Sequence, residues 1–121
     1  MAVAVRATYG PGSWMIVVDG EVVGLCSYKR PPDLDGVVEI GYGVSPSCRQ
    51  RGYATLAVAH LLGAAVRDHS IRGLVAETAI ENLASQRVLE RNGFFRDSTR
   101  IDPDGKVVFW RHDLSDFCPQ G

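Results

Sequence analysis

The sequence predicts a mixed α/β domain in the order β-β-β-β-α-β-α-β-β, one layer of two helices against a sheet. Three observations predict it. Up to Val44 the chain is a series of short runs rich in β-branched and aromatic residues, separated by turn signals. From Gly52 to His69 the apolar residues change to helical spacing. A short apolar run, a second helical stretch and a hairpin then follow, so the chain returns to the sheet by a crossover.

Ala2 to Thr8 is a short strand, ended by Gly10-Pro11-Gly12. Ser13 to Val18 and Glu21 to Tyr28 flank Asp19-Gly20, a two-residue hairpin signal. Arg30 to Gly36 is a loop, because Pro31-Pro32 cannot pair in a sheet. Val37 to Val44 is the third member of an antiparallel meander. Gly41 and Gly43 flank its Tyr42. Either they are tolerated small residues, or a bulge there splays the sheet and frees main-chain groups for a ligand. In the first helix Ala54, Val58, Leu61, Leu62, Ala65 and Val66 form the apolar stripe, and Asp68 to Gly73 ends it. Leu74 to Ala79 has strand length. Asn82 to Asn92 is the second helix, with Leu83, Ala84, Val88 and Leu89 inward and Asn92-Gly93-Phe94 as its stop. Phe95 to Ile101 and Lys106 to His112 form a hairpin across Asp102-Pro103-Asp104-Gly105. Residues 1–121 read as a single domain, with 116–121 a loose tail.

Composition narrows the function. A 121-residue chain with 45% hydrophobic residues supports one modest core. Its net charge of -1 gives no bulk attraction to nucleic acid or an anionic membrane, so any anion site is local. Only Lys29 and Lys106 are lysines; the other basic residues are Arg, whose planar fork suits phosphate or carboxylate. Cys26, Cys48 and Cys118 have neither metal spacing nor a disulfide framework, which predicts no metal and a reducing cytoplasm. His60, His69 and His112 share no spacing and read as helix-surface or strand residues.

Arg49-Gln50-Arg51-Gly52-Tyr53-Ala54-Thr55 joins the third meander strand to the first helix. The first turn of a helix carries unpaired N–H groups and the positive dipole end. A glycine with small neighbours lets a bulky anion approach the backbone there. The stretch reads as a phosphate or pyrophosphate cradle, or as an ordinary helix start with basic decoration.

The surroundings resemble one family. Glu39-Ile40-Gly41-Tyr42-Gly43-Val44-Ser45-Pro46 resembles the central strand of the GNAT superfamily of acyl-CoA-dependent N-acetyltransferases. Arg49-x-x-Gly52-x-Ala54 matches its pyrophosphate loop. Asn82-x-x-Ser85 and then Val88-Leu89-Glu90-Arg91-Asn92-Gly93-Phe94 resemble its last helix and the strand after it. The Glu-Ile-Gly-Tyr and Asn-x-x-Ser pieces lean toward the branch containing the ribosomal-protein N-terminal acetyltransferases. The match covers Val37 to Leu114, with Ser13 to Val37 as the preceding hairpin. The family's usual two N-terminal helices have no counterpart in the residues before that hairpin, so the acceptor pocket is open or closed by a second subunit. Exposed apolar surface there favours a homodimer.

The resemblance implies acetyl transfer from acetyl-CoA to a primary amine, of a small molecule or a protein N-terminus, by direct attack on the thioester. It assigns the backbone N–H groups of Gln50, Arg51, Gly52, Tyr53, Ala54 and Thr55 to the pyrophosphate, with Arg49 and Arg51 adding charge or forming a solvated face. The main chain of Tyr42 and Val44 pairs with the pantetheine arm, and an N–H near Val44 meets the thioester carbonyl. Glu39 is the base through water, or else a strand carboxylate paired with Arg; Glu77 is the substitute. The family's usual Tyr acid is replaced by Leu89. Ser85 then serves near the sulfur or is an ordinary helix residue. Asn82 binds the cofactor or caps its helix. The missing Tyr and short N-terminus leave a second function open, a catalytically weak acyl-CoA-binding module acting as sensor or assembly component.

Overall fold

β2 (Ser13–Val18) and β3 (Glu21–Tyr28) join across Asp19 and Gly20, both at positive φ (50° and 86°), the two-residue turn whose twist matches a hairpin. The computed structural model describes residues 2–8 and 10–114; the expected loose tail and Cys118 lie outside the described residues. β1 (Val3–Ala7) pairs antiparallel with β2. β4 (Val37–Val44) pairs antiparallel with β3, and a single 3-10 turn, Pro46–Cys48, leads to α1 (Tyr53–Val66). β5 (Gly73–Ala79), α2 (Leu83–Arg91), β6 (Phe95–Asp102) and β7 (Gly105–Asp113) complete a seven-stranded sheet of order β1-β2-β3-β4-β5-β7-β6. Among the described residues, β4 and β5 are the one neighbouring pair of strands that runs parallel, as the crossover through α1 requires.

Both helices lie on one face. Ile16, Cys26, Val38 and Ile40 are buried beneath α1; Leu74, Ala76, Val108 and Trp110 continue the same core toward α2. Tyr28 donates its hydroxyl to Leu61 O at 2.7 Å, and Asn92 Nδ2 donates to Thr55 O at 3.1 Å, tying α2 to the first turn of α1. The alternate residues of the strands (Leu25, Glu39, Gly43, Glu77) face the other way, and neither helix covers them. α2 ends as expected: Phe94 N reaches Leu89 O and Gly93 N reaches Glu90 O, with Gly93 at φ 83°.

Three sequence expectations change. β4 carries no bulge: Gly41 and Gly43 stay in register with Ser27 and Leu25, and the register shifts fall at Ile16/Val17 and Arg96/Ser98. The sheet parts on the other side of β4 instead, because its ladder with β5 stops at Glu39↔Val75. Val66 leaves the apolar stripe and is 65% exposed, since α1 ends there and Ala65 holds the last inward position. Leu83 also points out, at 56% exposure, and Gln86 takes the inward place. Its amide explains the exchange: Gln86 Nε2 donates to Ile80 O (2.8 Å) and Ala79 O (3.3 Å), while Oε1 accepts from Arg96 (3.1 Å).

Candidate active site

The gap begins where the β4–β5 ladder ends. Lys29 N donates to Glu39 O and Ser45 N to Val23 O, so odd-numbered β4 residues turn their main chain toward β3. The main-chain groups of Tyr42 and Val44 therefore face away from β3, into the gap. Val44 O accepts from Arg49 Nε at 3.1 Å rather than from a neighbouring strand.

From the gap a cleft of about 720 Å³ runs between the two helices. Tyr42, Val44 and Ser85 line its inner part; Arg49, Gln50, Gly52, Ala54 and Thr55 line one wall of the mouth, and Arg87, Val88 and Arg91 the other. The loop before α1 curls twice through the left-handed region, at Gln50 (φ 63°) and Gly52 (φ 82°). Alternation of this kind turns successive amides inward into an anion-binding concavity. Gly52 is the N-cap and makes no side-chain cap hydrogen bond. A Cβ on Gly52 would meet no atom within 4 Å, so backbone conformation and not crowding calls for glycine. Tyr53 buries its side chain in the core at 4% exposure.

Across the cleft, Asn82 Oδ1 accepts from Ser85 N at 3.1 Å and caps α2. That is the capping alternative, and it leaves the Asn82 Nδ2 hydrogens spare. Ser85 Oγ lies 2.6 Å from the Tyr42 hydroxyl, which also reaches Ser85 O at 3.3 Å. Burial pushes the Tyr42 phenol up, and the Ser85 hydrogen bond opposes that shift. Sequence reasoning did not find this bridge, because nothing in a linear pattern pairs residues 43 positions apart.

Glu39 stands apart from this group. It lies on the uncovered face, 3.0 Å from Arg30 Nη1 and 3.4 Å from Lys29 Nζ. Both carboxylate oxygens are thus ion-paired. Glu77 is exposed on the same face of β5, opposite Phe109. A groove of about 550 Å³ passes over Gly41 and Gly43 beside Leu25 and Ser27. Among the described residues no cluster of His, Cys, Asp and Glu could hold a metal. No helix there is long and apolar enough to cross a membrane.

A family model for the acetyltransferase (GNAT) domain matches residues 3–95. The chain belongs to the GNAT acetyltransferase family. GNAT relatives at the sequence level include the uncharacterized N-acetyltransferase YjdG of Bacillus subtilis, 35% identical over 91 residues, 74% of this chain and 54% of the relative. The ribosomal-protein-serine acetyltransferase of Escherichia coli is 30% identical over 81 residues, 67% of this chain and 45% of the relative. The chain thus spans about half the length of these curated relatives. Among solved structures, the RimL ribosomal L7/L12 alpha-N-protein acetyltransferase in complex with coenzyme A superposes with a TM-score of 0.79 at 20% identity, over 84% of this chain and 61% of that one. The aminoglycoside acetyltransferase AAC(6')-Ib in complex with coenzyme A gives 0.71 at 21% identity, over 84% of this chain and 65% of that one. At these identities the two superpositions establish the GNAT fold.

Proposed function

We propose that this GNAT domain binds acetyl-CoA from the helix side of the gap and transfers its acetyl group to a primary amine arriving from the uncovered face. The observation that carries the reading is the early end of the β4–β5 ladder beside the start of α1, whose N-cap, Gly52, makes no side-chain cap hydrogen bond. The amides of residues 50–55 would hold the diphosphate. The main chain of Tyr42 and Val44 would pair with the amides of the pantetheine arm, strand to strand. The Val44 N–H is our donor to the thioester oxygen as charge builds on it.

In the transfer, the amine nitrogen attacks the thioester carbon and the C–S bond breaks. Glu39, through water, takes the proton the ammonium must lose; Glu77 is the substitute on the adjacent strand. Ser85 donates a hydrogen bond to the departing thiolate, since Leu89 stands where many GNAT members place a Tyr. The acceptor is a small-molecule amine or a protein N-terminus, in the cytoplasm, and the working form is a homodimer. A second reading, an acyl-CoA-binding module with little turnover, is favoured by the two cations that hold Glu39.

Calorimetry with acetyl-CoA and a thiol-release assay over an amine panel test both. We expect saturable binding, weakened at least about tenfold in Gly52→Val, where a β-branched residue resists positive φ. Turnover in Glu39→Gln should fall by about 10²–10⁴ with cofactor affinity kept. No binding would sink the proposal; unchanged turnover in Glu39→Gln would remove Glu39 as base. Binding without turnover on any amine would turn it to the module.

A further inference from the structure

Three arginines line the cleft, Arg49 on the loop wall and Arg87 and Arg91 on the α2 wall. Among the described residues the carboxylate ion pairs involve only Lys29, Arg30, Arg100 and Arg111, so none of the three is paired with a carboxylate. In a chain of net charge -1 such a concentration is not a bulk property. The cations repel one another, so they contribute little to the empty fold and gain most from a polyanion.

The two walls are not equivalent. The loop wall already has what a diphosphate needs, namely inward amides, the positive helix end and a neighbouring guanidinium. Arg87 and Arg91 lie four residues apart on one stripe of α2, about 6 Å along its axis. They are fixed relative to the cradle, because the next residue, Asn92, donates to Thr55 O in the first turn of α1. A diphosphate on the amides leaves this second pair of cations without an anion. Coenzyme A carries one more phosphate, a monoester on the ribose 3′ oxygen with a charge of about -1.5 to -2 at neutral pH. Arginine forks suit such a group better than a lysine would.

We propose that Arg87 and Arg91 form a separate site for the 3′-phosphate, so that this domain selects coenzyme A over nucleotides lacking that group. The inference rests on the acetyl-CoA reading above, and one experiment separates the two. Calorimetry is run with CoA and with 3′-dephospho-CoA, on the unaltered protein and on Arg87→Ala, Arg91→Ala and the double variant. We expect CoA to bind the unaltered protein at least tenfold more tightly. In the double variant its affinity should drop to that of dephospho-CoA, whose own affinity should change less than twofold. Thermal melts without ligand should show no loss of stability in the variants.

Equal binding of both ligands by the unaltered protein overturns the 3′-phosphate site and leaves the acetyl-CoA reading standing. An equal loss for both ligands in the variants also overturns it, assigning the arginines to the diphosphate. Binding of neither ligand overturns both proposals.

Discussion

Gly24 and Gly52 show how differently one residue type can be required. A Cβ on Gly24 would sit 2.4 Å from Gly43 O and 2.9 Å from Ile16 Cδ1, so close strand and core contact excludes it. Gly52 has open space and a left-handed backbone. The sequence made the second legible, because Arg-x-x-Gly-x-Ala sits at a helix start. It hid the first, because nothing local to Gly24 announces what lies across the sheet. His60, expected on the helix surface, packs as well: its ring meets Trp14 edge-on at 5.2 Å. Burial lowers its pKa, with the nearby Arg67 adding to the shift. The unfolded chain then takes up a proton that the folded chain resists. His60 stability is therefore present above the ordinary value of 6.5 and is lost as pH falls through and below it. Melting temperature followed from pH 8 to 5 should show this decline, and His60→Phe should reduce its slope. An unchanged slope would assign the decline to other groups.

At the scale of elements, α2 was legible at its ends and misread along its side. Asn82 and Gly93 mark its start and stop through local backbone chemistry, which a sequence displays directly. Its inward face was assigned by hydrophobicity, and that rule failed at Gln86. The Gln86 amide holds the inward place by donating to Ile80 O and, beside the Asn82 N–H, to Ala79 O. The Asn82 cap also separates the two roles read for that residue. Asn82→Ala should cost about 1 kcal/mol in denaturant unfolding, and Asn82→Asp should restore it, since either oxygen can cap. If the spare Nδ2 hydrogens also hold the cofactor, Asp should keep the stability and lose CoA affinity. Equal CoA affinity in the Asn and Asp forms would leave Asn82 a cap alone.

For the molecule as a whole, the antiparallel meander and the return through a crossover were legible, while the order β5-β7-β6 was not. A parted sheet was one of two readings of the β4 glycines, and the strand itself shows the other, small residues kept in register. The sheet parts instead where the pairing of β4 with β5 ends early, a long-range property with no local mark. The uncovered face places Leu25 at 56% exposure beside the Gly41–Gly43 groove. A homodimer across this face should appear as a dimer by sedimentation velocity at micromolar concentration, and Leu25→Glu should shift it to monomer while retaining its melting temperature. A monomer at every concentration would exclude the pairing.

The short β4–β5 ladder has a mechanical consequence. Three ladder pairs join one half of the sheet to the other, so β1–β4 and β5–β7–β6 share a narrow seam. A molecule lying along that seam, gripped by α1 on one side and α2 on the other, would serve as its missing rungs. Amides of Gly73 to Val75 would then exchange with solvent more slowly when the cleft is filled, and occupancy would register as cohesion between the halves.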